Sequence, residues 1–300
     1  MSSALRRAGG TDLVKRAVTE PTVRTVEIPA LLERAGLGDI NPYSGDINEI
    51  AAAAYACRAA GAVALPFPIV GQLAGAQSAL GLVLVSRTQP VVDHVDLMTG
   101  WQAVDRFGSR TDVVGAVESA RTISAPFAGI AKTTTWSEGE ISPVLVYLVL
   151  ECWSVLGSLE SALALSVQHA KDRVQFGSPL SRYQAIQFQI ADAYVELGGL
   201  EVIVEQAVAS YASHGAQSLT DIVAARVAML EAAEKCLRVA HQIHGAVGFT
   251  DEHDLAWLSR HGHIARRSPL GVSGTLAWAA ESIERHGFDG LFPVMGAGRE

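Results

Sequence analysis

The stretch KDRVQFGSPLSRYQAIQ, residues 171–187, separates two long segments of helical periodicity and decides how the second half of the chain folds. Apolar residues recur every three or four positions over residues 145–167, and the same spacing resumes over residues 186–208. This spacing is typical of amphipathic helices, and Gly177 and Pro179 end the first of them. Because a short connection places successive helices antiparallel, the stretch predicts a helical hairpin.

Two further helices are predicted downstream of this hairpin. The helical spacing continues over residues 222–243 until Gly245 stops it, and a fourth helix begins near Thr275. Ser218 and Asp221 have the spacing of a capping box at the start of the third helix. Residues 139–300 are therefore predicted to form an up-and-down four-helix bundle.

The first half of the chain divides into a helical region and a strand-rich region. Residues 1–26 have little periodicity and predict a loose arm or a short helix. Asp46 and Glu49 have capping-box spacing before an alanine-rich helix, whose small side chains permit close helix packing. Short β-branched runs broken by Gly, Pro and Asp follow. The predicted fold is mainly α, with a helical domain over residues 1–80, a small β-domain over 81–138, and the bundle over 139–300.

The composition favours a large buried core and an oligomer. Hydrophobic residues make up 49% of the chain and charged residues 18%, so we expect a second subunit to cover some apolar helix faces. The net charge of −8 argues against nucleic-acid or anionic-membrane partners, which require a concentrated cationic patch. Cys57, Cys152 and Cys236 lie far apart without a CxxC pair, which indicates buried thiols in a reducing compartment.

Neither a signal peptide nor a membrane span is expected. The N-terminus MSSALRRAGG has no apolar core after its arginines. Residues 59–86 are uncharged, but Pro66, Pro68, Gly71 and Gly75 divide them into pieces too short to cross a bilayer. The sequence therefore predicts a cytoplasmic protein.

Two connections carry the residues best suited to ligand chemistry. The guanidinium of Arg173, with donors from Gln175 and Gln184, suits bidentate contact with a phosphate group. The alternative for Arg173 is a salt bridge to Asp172 or Glu196. The segment HQIHGAVGFTDEH, residues 241–253, follows the third helix, and its glycines would let a ligand approach the backbone. Taken alone, that segment is only the end of a helix.

Histidines and basic residues near the C-terminus suggest other sites less strongly. His241, His244, His253, His261 and His263 have spacings that match no recognised ligand set, so no metal is expected. The basic run RHGHIARR, residues 260–267, is interpreted as a solvated face or a subunit contact.

Together, the two connections resemble the acyl-CoA dehydrogenase family. That family has an R-x-x-F-G turn followed by a Gln-rich helix, matched here by Arg173, Phe176, Gly177 and Gln184. It also has a Q-x-x-G-G-x-G-[FY] segment, matched here by Gln242, Gly245, Ala246, Gly248 and Phe249. The resemblance covers residues 141–290 well, and ALPFPIVGQLAGAQSAL resembles the end of the family's N-terminal helical domain.

The resemblance implies an acyl-CoA dehydrogenase-like fold with a shortened N-terminal helical domain and a reduced β-domain. It also implies FAD as the cofactor, with its pyrophosphate and adenosine clasped by this bundle and its flavin ring held by a partner subunit. Arg173 would supply charge, Phe176 packing, and the glycine segment a close backbone approach. The implied FAD-binding residues are Arg173, Gln175, Phe176, Gln184, Gln242, Gly245 and Ala246.

The chain departs from the family at the catalytic base. The family uses a glutamate before a G-T pair late in the bundle, and here Ser273 takes that position. The alternative family position, near the start of the long bundle helix, aligns with Tyr147. A serine hydroxyl is not basic enough, and tyrosine is protonated at neutral pH. Glu151, one turn after Tyr147, is a possible substitute, although a solvated or interface carboxylate is the alternative.

The family's E-P-x-x-G-S-D stretch is also missing from the strand region. We therefore predict a subunit without its own base, acting in an α2β2 complex whose homologous partner supplies the glutamate. Such an enzyme would introduce a 2,3-double bond into an acyl-CoA, with steroid side-chain CoA thioesters as one substrate class, and pass electrons to an electron-transfer flavoprotein. The alternatives are a self-sufficient homo-oligomer with a relocated base and a flavin-free scaffold.

Overall fold

The computed structural model describes residues 1–76, 81–98, 100–117 and 125–287. Helices precede residue 75, strands lie between residues 82 and 133, and helices return from residue 142. The prediction of a mainly α-helical chain is confirmed. The predicted domain boundary at residue 80 and the predicted end of the bundle at residue 300 lie outside the described residues.

In the sequence, helices joined by connections precede the strands of the sheet and follow them. Their bounds are α1 (Ser2–Arg7), α2 (Asp12–Ala17), α3 (Ile28–Arg34), α4 (Ile47–Gly61), α5 (Ile69–Ala74), α6 (Ser142–Asp172), α7 (Gln184–His214), α8 (Leu219–His244), α9 (Asp254–His261) and α10 (Val272–His286). The helices predicted after residue 141 correspond to α6, α7, α8 and α10, and α8 packs against each of the other three.

The long helix α6 is the centre of the molecule. It has 31 residues, which is about 46 Å of helix, and it packs against α4, α7, α8 and α9. By length and composition α6 is apolar enough to cross a membrane, but 83% of its most apolar window is buried inside the protein. Its hydrophobicity is therefore accounted for by its position in the core.

The helices α4 and α6 cross at two glycines. A Cβ atom on Gly157 would overlap the carbonyl oxygen of Arg58, and one on Gly61 would overlap the carbonyl oxygen of Ser154. The two backbones are therefore in direct contact, closer than any side chain permits. This crossing fixes the N-terminal helices against the bundle.

Five strands form a small mixed sheet in the order β1-β3-β4-β5-β2. Their bounds are β1 (Leu82–Leu84), β2 (Val91–Val92), β3 (Gln102–Val104), β4 (Arg110–Val117) and β5 (Gly129–Thr133). β1 pairs with β3 in parallel, and the other pairings are antiparallel. The sheet has its own small core of valines with Met98 and Ala131, and one end of it faces α6.

The N-terminal arm is more ordered than its sequence predicts. Residues 2–17 form α1 and α2, which bury Leu5, Leu13 and Val14. Each helix is too short to show a clear period, and burial of a few apolar side chains against the rest of the protein stabilises it. Of the two alternatives predicted for residues 1–26, the short helix is observed and the loose arm is wrong.

Neither predicted capping box forms. Asp46 does cap α4, but it accepts from the backbone N–H of Asn48 (2.9 Å), and Glu49 accepts from Asn41 instead of reaching back. Ser218 donates to the carbonyl of Gly215 (2.6 Å). Its expected partner Asp221 accepts from the hydroxyl of Ser210. Nearby tertiary partners displace the local pairing in both places.

Candidate functional site

A tight hairpin follows α6 and presents the predicted Arg173 turn at the surface. β6 (Val174–Gln175) pairs with β7 (Ser178–Pro179), and the two residues between them both have positive φ, 50° for Phe176 and 79° for Gly177. This backbone turn is one that Gly adopts freely and Phe rarely does. The Phe176 side chain is 96% exposed. The hairpin thus holds a large apolar ring in solvent.

Arg173 is free of the salt bridges that the sequence allows. Asp172 accepts from Gln168 (2.8 Å), and Glu196 pairs with Lys235 (2.8 Å). Arg173 is exposed at the end of α6, and its side chain has no hydrogen bond or ion pair within the described part of the chain. The alternative of a structural salt bridge is therefore wrong, and the guanidinium remains available to a ligand or partner.

The second predicted segment lies at the same end of the bundle. α8 ends at His244, and Gly245 continues with φ 62° and no atom within 4 Å of the place where a Cβ would be. The ring of His244 stacks on that of His169, with centroids 4.5 Å apart. Since His169 is one helical turn before Arg173, the stack joins the ends of α6 and α8.

The predicted FAD-binding residues are all exposed, but no single cleft contains them. Gln242 and Gly245 line an open groove of about 790 Å³ along α8. Arg173, Gln175, Phe176, Gln184 and Ala246 do not line that groove. Gln184 is the first residue of α7, and the carbonyl of Gln175 accepts from the hydroxyl of Tyr183 (2.8 Å). The residues form a surface around the end of the bundle.

A histidine cluster between the two segments was not expected from the sequence. The ring of His244 contacts those of His169 and His253, at centroid distances of 4.5 Å and 4.6 Å. Burial, with the neighbouring histidines, lowers the pKa of His244 to about 4, so its ring is neutral at pH 7. His244 and His253 are near each other in sequence, whereas His169 is distant and reaches them because α6 packs on α8.

Tyr147 and Glu151 line a small cavity between α6, the sheet and the connection after α9. Its volume is about 90 Å³, and Asp93, Ser154 and His261 also line it. Burial raises the pKa of the Tyr147 phenol above its ordinary value, so it stays protonated, as the sequence predicts. Glu151 is 6% exposed, so its interpretation as a solvated or interface carboxylate is wrong.

Glu151 forms a buried ion pair with Arg226 of α8. Arg226 is fully buried, and its Nη1 donates to Glu151. Burial raises the pKa of Glu151 to about 7, against the lowering effect of Arg226. The Nη2 of Arg226 donates to the carbonyls of Ala265 (2.9 Å), Ser268 (2.6 Å) and Leu270 (3.2 Å). This one side chain therefore fixes the connection between α9 and α10.

The other predicted base position lies away from this cavity. Ser273 is exposed in the first turn of α10 and does not line the cavity that holds Tyr147. Two residues of the RHGHIARR run are also not solvated as expected. Nε2 of His261 lies 3.1 Å from the hydroxyl of Ser154 in the cavity wall, and Arg260 pairs with Asp251 while its side chain is 14% exposed.

Comparison with known proteins finds one family whose domain resembles part of this chain. Residues 149–268 match the acyl-CoA dehydrogenase C-terminal domain. The acyl-CoA dehydrogenase IpdE2 of Mycolicibacterium smegmatis is 25% identical over 250 residues, which are 74% of this chain and 75% of that protein. Acyl-CoA dehydrogenase FadE27 of Mycobacterium tuberculosis is 37% identical over 127 residues, which are 40% of this chain and 33% of that protein. The 3-sulfinopropanoyl-CoA desulfinase of Paraburkholderia xenovorans is 37% identical over 94 residues, which are 31% of this chain and 24% of that protein.

Solved structures resemble the whole chain. A variant of the Tcur3481–Tcur3483 steroid ACAD has a TM-score of 0.77 at 17% identity, with 95% of each chain covered. The ChsE4–ChsE5 complex of Mycobacterium tuberculosis has a TM-score of 0.76 at 14% identity, with 94% of each chain covered. The predicted fold class is confirmed over nearly the whole chain, since these likenesses include the short N-terminal helices and the small sheet.

Proposed function

We propose that this chain is an acyl-CoA dehydrogenase subunit that lends half of an FAD site to a catalytic partner. The observation that carries the proposal is the hairpin at the end of α6. It exposes Phe176 almost completely and leaves the charge of Arg173 unpaired. A large exposed ring beside a free cation is typical of a surface that a partner covers.

The residues at this end of the bundle fit the nucleotide part of FAD. Arg173 offers a planar fork of donors for a pyrophosphate. Gly245 has open space where a side chain would stand, so a ligand would meet the backbone there. Gln175, Gln184 and Gln242 would add amide hydrogen bonds. Phe176 would pack on the cofactor, and Ala246 would let its backbone lie close by.

The chain's own central cavity does not fit the flavin ring. Its volume is about 90 Å³, whereas pockets for ligands of this size hold roughly 300–1,000 Å³. Tyr147 and the Glu151–Arg226 pair fill the space beside it. We therefore propose that the ring of the shared FAD lies in the partner, in agreement with the half-site at the surface.

The partner is also proposed to supply the base. Ser273 is exposed and Tyr147 protonated, so neither replaces the family's glutamate. When bound, FAD supplies the hydride acceptor for forming a 2,3-double bond in an acyl-CoA. This chain's contribution is to bind and orient the nucleotide end of that cofactor through the residues named above.

We propose assembly with a homologous subunit as α2β2, because the two similar structures are of the paired proteins Tcur3481–Tcur3483 and ChsE4–ChsE5. We propose steroid-CoA thioesters as the substrate class, because the first of these is a steroid ACAD. We further propose a cytoplasmic location and an electron-transfer flavoprotein as the electron acceptor, as in the family at large.

Co-expression with a homologous acyl-CoA dehydrogenase subunit tests the proposal. The purified complex is expected to be yellow, with flavin absorbance and equal amounts of the two chains, while this chain alone is expected to bind little flavin. Acyl-CoA oxidation should require both chains and the partner's glutamate. A chain that binds a full complement of FAD alone and oxidises acyl-CoA unaided contradicts the proposal.

Arg173→Ala should reduce flavin retention in the complex. The substitution removes a charge-assisted contact worth roughly 1.5–3 kcal/mol, so the FAD dissociation constant should rise by about 10- to 100-fold. The matched control is Arg182→Ala, which removes another exposed arginine from the same connection. Dialysis followed by the flavin-to-protein absorbance ratio measures the effect. Equal flavin content in the two variants would remove Arg173 from the site.

A self-sufficient enzyme is the second candidate, and one observation favours it. Glu151 lines the cavity beside Tyr147, and burial raises its pKa to about 7, a value suited to a general base. In that case the chain alone would oxidise acyl-CoA, and Glu151→Gln would abolish the activity. The flavin-free scaffold predicts instead that no co-expressed complex is yellow.

A further inference from the structure

The histidine cluster of His169, His244 and His253 joins the end of α6 to the end of α8. The ring of His244 stacks on that of His169 with the planes at 30°, and it meets the ring of His253 edge-on with the planes at 67°. Gly248 packs directly on His244, because a Cβ atom on Gly248 would lie 2.9 Å from the Cβ of His244. The ring of His244 is therefore enclosed by α6, α8 and the segment that follows α8.

His244 holds one proton in a fixed place and has no acceptor for a second one. Its Nδ1 donates to the carbonyl of Ala240 (2.8 Å), since a carbonyl oxygen can only accept. Its Nε2 is buried and has no hydrogen-bond partner within the described part of the chain. A proton added at Nε2 would therefore create a buried charge and a buried donor without an acceptor, and both are costly.

The groups around His244 oppose a positive charge on its ring. The ionisable groups that act on it most strongly are His169, His253 and His241, and each of them lowers the pKa of His244. Since all three are neutral or positive, none of them compensates a proton on His244.

Two carboxylates adjoin the cluster, and both are bonded to other residues. Asp172 accepts a hydrogen bond from Gln168 (2.8 Å), and Asp254 pairs with Lys15 (2.7 Å). The cations that act on the histidines or pair beside them are Lys15, Arg173 and Arg266. The elements packed around the cluster therefore favour neutral rings.

The cluster also fixes the backbone at both helix ends. The N–H of Arg173 donates to the carbonyl of His169 (2.8 Å) at the end of α6. Gly245 follows His244 directly, and its N–H donates to the carbonyl of His241. Separation of the rings would therefore displace the Arg173 hairpin relative to the turn after α8.

We propose that the histidine cluster is an acid-sensitive contact, which holds the ends of α6 and α8 together while its rings are neutral and opens when His244 gains a proton. Opening leaves the middle of both long helices intact and separates Arg173 from Gly245. It is a property of the isolated chain. Its consequence for the cofactor, weaker retention of FAD at low pH, rests on the proposed function.

Amide hydrogen exchange of the isolated chain at pH 7.5 and pH 5 tests this proposal. Burial, with the neighbouring histidines, lowers the pKa of His244 from 6.5 to about 4 in the closed form. The closed contact is therefore fully stable above pH 6.5 and loses stability as the pH falls towards 4, which favours opening about 30-fold more at pH 5 than at pH 7.5. After correction for the intrinsic effect of pH on exchange, amides of residues 170–173 and 241–245 should exchange faster by that factor, and those of residues 150–160 should not.

His244→Phe keeps a ring in the cluster and removes the group that titrates, so the additional exchange at pH 5 should disappear. His214→Phe is the matched control, since His214 also ends a long helix and its Nδ1 lies 3.3 Å from the carbonyl oxygen of Ser210, four residues earlier. This control should respond to acid as the unmodified chain does. An acid response in His244→Phe equal to that of the control overturns the proposal.

Titration of the His244 ring by NMR tests the unmodified chain without any substitution. A pKa near 6.5 with unchanged exchange overturns the proposal, because the ring would then be protonated in the closed form. Faster exchange over the whole chain at pH 5 also overturns it, because the acid would then unfold the protein rather than open one contact. A co-expressed complex that is colourless at pH 7.5, with the acid response of the isolated chain intact, would reject the flavin half-site alone.

Discussion

Gly157→Ala should destabilise the isolated chain by about 3 kcal/mol, near the upper end of the cost of inserting a methyl group into a packed core. The new Cβ would overlap the carbonyl oxygen of Arg58. Backbone atoms cannot turn aside as a flexible side chain can, so α4 and α6 would have to move apart. Gly61→Ala, against the carbonyl of Ser154, should act in the same direction.

Gly198→Ala on α7 is the matched control for this crossing. Gly198 is also inside a long helix, but nothing lies within 4 Å of its Cβ position. Alanine should therefore stabilise the chain there by roughly 0.5–1 kcal/mol, as helix propensity predicts. Urea unfolding followed by circular dichroism measures all three variants. If Gly157→Ala and Gly198→Ala shift stability in the same direction, α4 and α6 do not meet at these glycines.

The long helices of this protein were predictable because each of them repeats one simple signal many times. Apolar residues at intervals of three and four over residues 145–167 predicted α6, and Gly245 marked the end of α8. Short helices contain too few residues to repeat this spacing. α1 and α2 are stable because Leu5 and Leu13 meet the rest of the protein, a fact that lies outside their own sequence.

The same difference between local signals and long-range contacts applies to the candidate sites. The R-x-x-F-G turn was visible as a motif because its hairpin is local, and its role in binding FAD remains a prediction. The partner of Glu151 was not visible, because Arg226 lies 75 positions later in the chain. Likewise Arg266 lines the same groove as His241, although 25 positions separate them in the chain. Contacts between distant segments require the packed structure.

The buried Glu151–Arg226 pair also lies beside Tyr147, the residue predicted to replace the family's base. The sequence predicts that Tyr147 takes the alternative glutamate position, and one turn later the Glu151 carboxylate is directed to Arg226. Arg226 in turn holds three carbonyls of the connection that leads to Ser273. One arginine thus holds the surroundings of both predicted base positions, which makes a structural role for Glu151 compatible with the proposed subunit.

Arg226→Met should therefore be severely destabilising, by about 3–5 kcal/mol at pH 8, the usual cost of leaving one buried charge without its partner. Glu151 would lose its cation, and the carbonyls of Ala265, Ser268 and Leu270 would lose their donor. The connection between α9 and α10 should become sensitive to limited proteolysis. Urea unfolding at pH 8 measures the loss.

The stability lost in Arg226→Met should be smaller at pH 5.5 than at pH 8. The direction of this change follows from the protonation of the Glu151 carboxyl group. Burial raises the pKa of Glu151 from 4.5 to about 7 in the folded protein, and Arg226 opposes that rise. Without Arg226 the folded-state pKa rises further. A carboxyl whose pKa is raised on folding favours the folded state while it is protonated, and this contribution is lost as the pH rises through the folded-state value. In Arg226→Met the stability contributed by protonated Glu151 therefore continues to fall as the pH rises above 7.

Adding Glu151→Gln to Arg226→Met separates the charge from the lost hydrogen bonds. The double variant has no titrating group at this position, so its stability deficit relative to Glu151→Gln alone should not grow between pH 5.5 and pH 8. At pH 8 the double variant should be more stable than Arg226→Met, because glutamine is neutral. If Arg226→Met loses the same stability at both pH values, the cost comes from the three carbonyls, and Glu151 does not depend on Arg226 for its charge.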